Sequence, residues 1–351
     1  MEPATTEPRR RPRPPAHPAT VVRAALRHRW VQVTALLWVV ASVALLTLGG
    51  DGLPVQRAGA ALSAATEVVN GLGNLVIALV IIGVVLGVTR NRPVVDLAAR
   101  VPDRATAIAE TAGLLAYAAV VTVGGLLIGR AAGEHAISLH LPGTIHGLHG
   151  DTLPVGWVAL WAGYNLLFWA VIPYLAFRAR GYGHDRLGLR SQDRRGDLVL
   201  ILVVLVVESA VELALVSGEL FALTPAQLAV GVPLAFVVNM AGTVLPIMVF
   251  VYAILLPRFA RITGSTVSTV ILGGVAYAVI HLFESWAVFD TLAAGAVTVV
   301  LLFFQYFGPG LIKSVLTVRT GNAWVHVWAY HAVAPHVTLD TVTMLDSLEL
   351  R

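Results

Sequence analysis

The chain has 351 residues, of which 57% are hydrophobic and 13% charged, and its mean hydropathy is +0.79. Soluble domains carry about 25% charged residues, so this composition excludes an ordinary soluble fold and indicates an integral membrane protein. The absence of cysteine excludes disulfides, thiolate catalysis and cysteine metal ligands. The net charge of +4 would suit an acidic partner, but the arginines lie between apolar runs, so we attribute them to membrane topology and predict no nucleic-acid binding.

The N-terminal residues 1–20 are rich in Pro and Arg and contain little apolar surface, which predicts a disordered cytoplasmic tail. Apolar runs of the length needed to cross a bilayer then follow one another. We therefore predict an all-α fold, a polytopic transmembrane bundle of eight or nine helices in a lipid bilayer. The predicted segments are 31–48, 68–88, 108–128, 156–177, 198–216, 228–256, 266–289, 292–313 and 322–337. The last is short and polar for a span, and we expect it to end inside the protein.

The distribution of Lys and Arg predicts the orientation, because cytoplasmic loops are enriched in both. With a cytoplasmic N-terminus, all of the 24 Lys and Arg residues except Arg57, Arg130 and Arg351 fall on the inner side, Lys313 and Arg319 among them. We therefore predict a multi-pass cell-membrane protein with a cytoplasmic N-terminus. A basic connector suggests a boundary near residue 181, which divides the chain into the tail (1–20), accessory helices (21–180) and a helical core (181–351).

The longest predicted outer loop, residues 131–155, contains four histidines, namely His135, His140, His146 and His149. Their spacing is irregular and the loop offers few carboxylates, so the pattern is weak support for a metal site. We predict that these histidines are solvated.

Segment 266–289 carries His281 and Glu284 three residues apart, which puts both on one face of a helix. Ionisable side chains within a membrane are costly and face a partner or a wet cavity. This segment is therefore the first candidate for an active-site helix.

A second acidic stripe consists of Glu208 and Glu212, four residues apart in the preceding half of the core. At about 1.5 Å per residue, Glu212 and His281 both lie roughly 20 Å deep, and His331 somewhat shallower, which is compatible with one shared cavity. The cavity could hold a proton relay, a divalent metal bound by His281, His331 and a Glu, or a ligand without chemistry. No cofactor is required by the sequence. We interpret His326 and His336 as structural or interfacial.

Four short motifs follow one another in the C-terminal half, Leu187-Gly188-Leu189-Arg190, Leu255-Leu256-Pro257-Arg258-Phe259, Tyr277-Ala278-Val279-Ile280-His281, and Thr320-Gly321-Asn322-Ala323-Trp324 followed by His331. In order and spacing they resemble the CPBP family, membrane proteases related to CAAX prenyl endopeptidases and to bacteriocin-processing or immunity proteins. The resemblance implies an intramembrane endopeptidase, a hydrolase that acts on a prenylated or membrane-embedded peptide, with His281 and His331 at motif positions.

The chain departs from that family at two motifs. The register puts Ile247 and Met248 at the glutamate pair of Glu-Glu-x-x-x-Arg and Tyr252 at its arginine. Pro335 stands where the last motif, His-x-x-x-Asn or Asp, has its polar residue. The general base implied by the resemblance is therefore missing.

Three functions remain open. A peptidase would have to take its carboxylate from Glu284, Glu208 or Glu212, which with His281 and His331 are the candidate catalytic residues. A non-proteolytic scaffold or immunity-like protein, a pseudoenzyme, would use the same fold without turnover. A membrane enzyme could use the same pocket for acid/base chemistry on a lipid-like small molecule.

Overall fold

The computed structural model describes residues 23–49, 53, 63–142, 153–215 and 218–351, and the described regular elements are all helical. The predicted N-terminal tail lies outside these residues, as do His146 and His149. In chain order the longer helices are α1 (Arg29–Leu48), α2 (Ala64–Val88), α3 (Arg104–Ala132), α4 (Val155–Ala179), α5 (Arg194–Leu215), α6 (Pro225–Thr263), α7 (Thr266–Val279) and α8 (Leu292–Thr320). Three short helices follow, α9 (Ala323–His326), α10 (Ala334–Thr338) and α11 (Asp340–Ser347).

Among the described residues, six helices are long and apolar enough to cross a membrane, namely α1 to α4, α6 and α8. The all-α membrane protein is therefore confirmed, whereas the count of eight or nine spanning helices is not. Most of the large hydrophobic side chains of α1 and many on α2 and α3 are exposed, as expected for helices that face lipid. The cytoplasmic N-terminus stays a prediction.

Helix α7 is shorter than predicted, because it ends at Val279 and not at residue 289. The chain continues as tight turns, in which the His281 amide donates to Ala278 O at 3.2 Å and the Glu284 amide donates to His281 O at 3.3 Å. Non-helical backbone at membrane depth is tolerated where it is buried in protein or lines a cavity. His281 and Glu284 are 0% and 4% exposed, so this segment meets that condition.

Helix α8 is longer than predicted, since it runs seven residues past Lys313 to Thr320 before Gly321, whose φ of +66° ends it. Lys313, which the topology count placed at the cytoplasmic surface, is instead 1% exposed. The helix packs against both α2 and α7. Its polar side chains therefore face the protein interior.

The predicted final segment is broken into α9, a wide turn over Val327–His331, and α10. Its histidines His326, His331 and His336 are each 1% exposed or less. The expectation that this segment ends inside the protein agrees with these breaks and with its burial.

A buried ion pair joins α3 to α6. Arg258 Nη2 lies 2.8 Å from Glu110 Oε2, and the Tyr182 hydroxyl donates to the same oxygen at 2.9 Å. Burial, and then the hydrogen bond to Glu110, raise the pKa of the Tyr182 phenol, which keeps it a neutral donor. This cluster connects the predicted accessory helices to the core.

Candidate metal centre

The segment that carries His140 is folded into the protein and is not a solvated loop. His140 is 3% exposed, which contradicts the prediction for this loop histidine. The two backbone carbonyls that precede it accept three hydrogen bonds from buried donors. Trp161 Nε1 and Asn165 Nδ2 of α4 both donate to Ser138 O at 2.8 Å, and Thr243 Oγ1 of α6 donates to Leu139 O at 2.6 Å.

The close approach of this segment to α3 depends on Gly125 and Gly129. A Cβ atom built on Gly125 would lie 2.7 Å from Ile137 O, and one built on Gly129 would clash with His135 O. The Ile137 amide also donates to Gly125 O at 3.2 Å. Larger side chains at these positions of α3 would push the segment, and His140 with it, away from the core.

His140, His281 and Glu284 come together although they are far apart in sequence. One ligand atom of each lies within 4.8 Å of the ligand atoms of the other two. His140 Nδ1 is 3.2 Å from Glu284 Oε1, without the alignment of a hydrogen bond. In a tetrahedral zinc site, metal–ligand bonds of 2.0–2.2 Å separate neighbouring ligand atoms by about 3.4 Å. The three residues therefore fit a divalent cation with small side-chain adjustments.

The hydrogen bonds of His281 leave one ring nitrogen free for a metal. His281 Nδ1 lies 2.5 Å from Tyr277 O, and because a carbonyl only accepts, Nδ1 carries the proton. His281 Nε2 is buried without a hydrogen-bond partner among the described residues, as are both ring nitrogens of His140 and Glu284 Oε1. A backbone carbonyl that orients a ligating histidine is the usual outer-shell arrangement. Buried polar atoms without partners are rare, and a metal would satisfy three of these four, one from each residue.

His336 and Asp340 lie beside this group. His336 Nδ1 is 2.7 Å from Asp340 Oδ2, so Nδ1–H donates to the carboxylate and Nε2 remains unpartnered. The His336 ring is 5.6 Å from the His140 ring and 5.2 Å from the His331 ring. The interpretation of His336 as structural or interfacial did not include this pair. The signal was present, since residues 336–340 follow the pattern His-x-x-x-Asp that His331 and Pro335 do not.

His331 is buried beside the group but is not one of its three closest ligands. Its ring is 6.2 Å from the Tyr277 ring and both of its ring nitrogens lack hydrogen-bond partners. The proposed ligand set of His281, His331 and a Glu is therefore changed in one member, because His140 takes the place of His331.

A cavity of about 680 Å³ adjoins this group. His140, His331, His336, Glu208 and Glu212 all line it, whereas His281 and Glu284 contact it through His140. The volume lies within the range of small-molecule and cofactor sites. The two glutamates of α5 are thus near the group, but they are not ligands of it.

Ile247 and Met248, which the motif register placed at the missing glutamates, are buried in apolar surroundings of α6. Tyr252 donates to Gly310 O at 3.4 Å and its ring is 4.3 Å from the His326 ring. These positions pack the core and offer no base. No family model, no curated protein and no solved structure matches this chain.

Proposed function

We propose that this chain is a membrane-embedded, metal-dependent hydrolase. The observation that carries the proposal is the group of His140, His281 and Glu284, three buried ligands with unpartnered atoms that lie within 4.8 Å of one another. Catalytic zinc sites have three protein ligands and one open position, whereas structural sites are closed by four. A divalent cation bound here would supply Lewis-acid chemistry and lower the pKa of a coordinated water.

The residues around the group provide the proton transfers that hydrolysis requires. His336 lines the cavity next to His140, and its Nε2 is free to accept the proton of the attacking water. Asp340 fixes the tautomer and stabilises the imidazolium that forms. The water oxygen bonds to the carbonyl carbon, the bond to the leaving group breaks, and His336 returns the proton to that group. This assignment replaces the missing glutamate pair by a histidine and an aspartate.

An intramembrane peptide is the substrate that we propose first, because the motif order around His281 and His331 resembles that of the CPBP endopeptidases. An ester or amide of a lipid-like molecule is the second candidate. It is favoured by the cavity, which is lined both by apolar side chains such as Leu301 and Phe304 and by the carboxylates of Glu208 and Glu212. A scaffold without turnover is the outcome that the following experiment would reveal.

The test compares purified protein that has been chelated with protein given one equivalent of Zn²⁺, using a prenylated peptide, an unmodified membrane peptide and a lipid ester. We expect hydrolysis of at least one substrate only in the zinc-loaded protein, and its loss in His281→Ala and His140→Ala. His135→Ala, in the same segment but outside the group, should keep full activity. Turnover that survives chelation or the His140 substitution would contradict the metal mechanism, and no turnover of any substrate would favour the scaffold.

A further inference from the structure

The interior of the protein contains a lysine that forms no ion pair with any of the described residues. Lys313 on α8 is 1% exposed and lines the cavity. It forms no ion pair and donates no hydrogen bond to any residue that the structure describes. Its Nζ lies 3.7 Å from the ring centroid of Tyr277 and 5.3 Å from that of Tyr330. Cation–π contacts of this kind compensate only part of the cost of desolvating an ammonium group.

Two further hydrogen-bond donors line the same cavity. His331 lines the cavity, and both of its ring nitrogens are buried without a partner. A neutral imidazole always carries one N–H, so one of these nitrogens is a free donor. The Tyr330 side chain also lines the cavity, and its hydroxyl has no hydrogen-bond partner among the described residues. Lys313, Tyr330 and His331 therefore offer three unused donors to the same cavity, and the lysine is cationic when it is protonated.

We propose that Lys313, Tyr330 and His331 bind an oxyanion, a carboxylate or phosphate, at the end of an amphiphilic ligand. The amphiphile follows from the rest of the cavity wall, where Leu301, Phe304 and Val342 provide apolar surface beside these donors. A bound oxyanion would form the direct ion pair that the lysine lacks among the described residues, and it would accept both neutral hydrogen bonds.

The site adjoins the metal group through one aromatic ring. Tyr277 contacts Lys313 on one side, and its ring is 4.5 Å from that of His281. A ligand anchored at Lys313 would thus place a bond a few atoms from the anion near His140. The inference that this ligand is the substrate rests on the proposed function, whereas the inference that the site binds an oxyanion does not.

A carboxylate in the same cavity provides a matched control for Lys313. Glu208 on α5 lines the same cavity and interacts electrostatically with Lys313 without forming an ion pair, and its Oε2 atom has no hydrogen-bond partner among the described residues. A negative charge there would oppose an anion. Glu208→Gln should therefore bind an oxyanion as well as or better than the unmodified protein does, whereas Lys313→Gln should bind it worse.

The experiment measures binding to chelated full-length protein in dodecyl maltoside, a detergent without anionic groups, so that neither metal nor turnover contributes. We expect dodecyl phosphate and laurate to bind about tenfold or more tightly than dodecanol. Lys313→Gln should remove this preference, and Glu208→Gln should preserve or increase it. If inorganic phosphate competes with the amphiphiles, a free anion is sufficient for binding. If it does not compete, the alkyl chain is also required. Both results support the site.

Two results would overturn the proposal. One is equal affinity of the unmodified protein for dodecanol and for the two anionic amphiphiles, which is expected if Lys313 is a neutral amine. This measurement does not depend on the folding of any variant. The other is a folded Lys313→Gln protein that retains the preference. Because metal is absent throughout, a failure of hydrolysis in the earlier test leaves this result intact, and the reverse also holds.

Discussion

His140 Nδ1 lies 3.2 Å from Glu284 Oε1 although the two residues belong to different halves of the chain. The contact requires that the segment after α3 fold inward and that α7 end before Glu284. Ser138 supports it, since its Oγ is 2.7 Å from His140 O and 3.4 Å from Glu284 Oε2. The region predicted to hold accessory helices (21–180) thus contributes a ligand to the candidate metal centre, from the segment that follows α3.

Gly129→Ala should weaken zinc binding, because the new Cβ would clash with His135 O and displace the segment that carries His140. Gly113→Ala on the same helix is the matched control, since nothing lies within 4 Å of its Cβ. Both changes remove an interior glycine, which favours the helix by roughly 0.5–1 kcal/mol. Isothermal titration calorimetry with Zn²⁺ should show a loss of zinc affinity for Gly129→Ala alone. Equal zinc affinity in the two variants would contradict the role of this close approach.

His336→Gln should lower kcat by about 10² or more without removing zinc, since His336 is proposed to transfer protons and not to bind the metal. Asp340→Asn should have a smaller effect of about tenfold to a hundredfold, because the histidine remains but loses its orienting partner. Steady-state kinetics and metal analysis on the same samples separate the two properties. His184→Gln, remote from the centre, should match the unmodified protein. Loss of zinc in His336→Gln would instead make His336 a ligand.

Glu110→Gln should reduce the free energy of unfolding by about 3–5 kcal/mol, because it leaves the Arg258 guanidinium buried without its counterion. The matched control is Asp185→Asn, which breaks the exposed pair with Arg190 and should cost less than about 1 kcal/mol. Denaturant titrations in detergent micelles, followed by circular dichroism, give both values. A similar small change in the two variants would show that the buried pair does not hold α3 against α6.

The helices were predictable because an apolar run of span length has few alternatives in a membrane. Helices α2, α3 and α8 are longer than the predicted apolar runs. They continue into polar residues such as Thr320, where hydropathy falls although the helical backbone hydrogen bonds continue. The break after Val279 was not predictable from hydropathy, since most of the residues that follow, up to Phe289, are still apolar. A helix and a buried turn differ there only in tertiary contacts.

The candidate site was predicted in part. His281 and Glu284 stand out because ionisable residues in an apolar run are costly. His140 did not stand out, because its burial depends on small residues of α3 and on donors from α4 and α6, none of which is adjacent in sequence. The four-residue spacing of His336 and Asp340 is present in the sequence, but the sequence does not show that the two side chains form a hydrogen-bonded pair beside the site.

We infer that His140, His281 and Glu284 bind one divalent cation. Zinc K-edge X-ray absorption measures this coordination in protein that is loaded with one equivalent of Zn²⁺ and then dialysed. We expect nitrogen and oxygen neighbours at about 2.0–2.2 Å with imidazole scattering, weakened in His140→Ala and unchanged in His135→Ala. Protein that retains no zinc, or a spectrum that His140→Ala leaves unaltered, would contradict it.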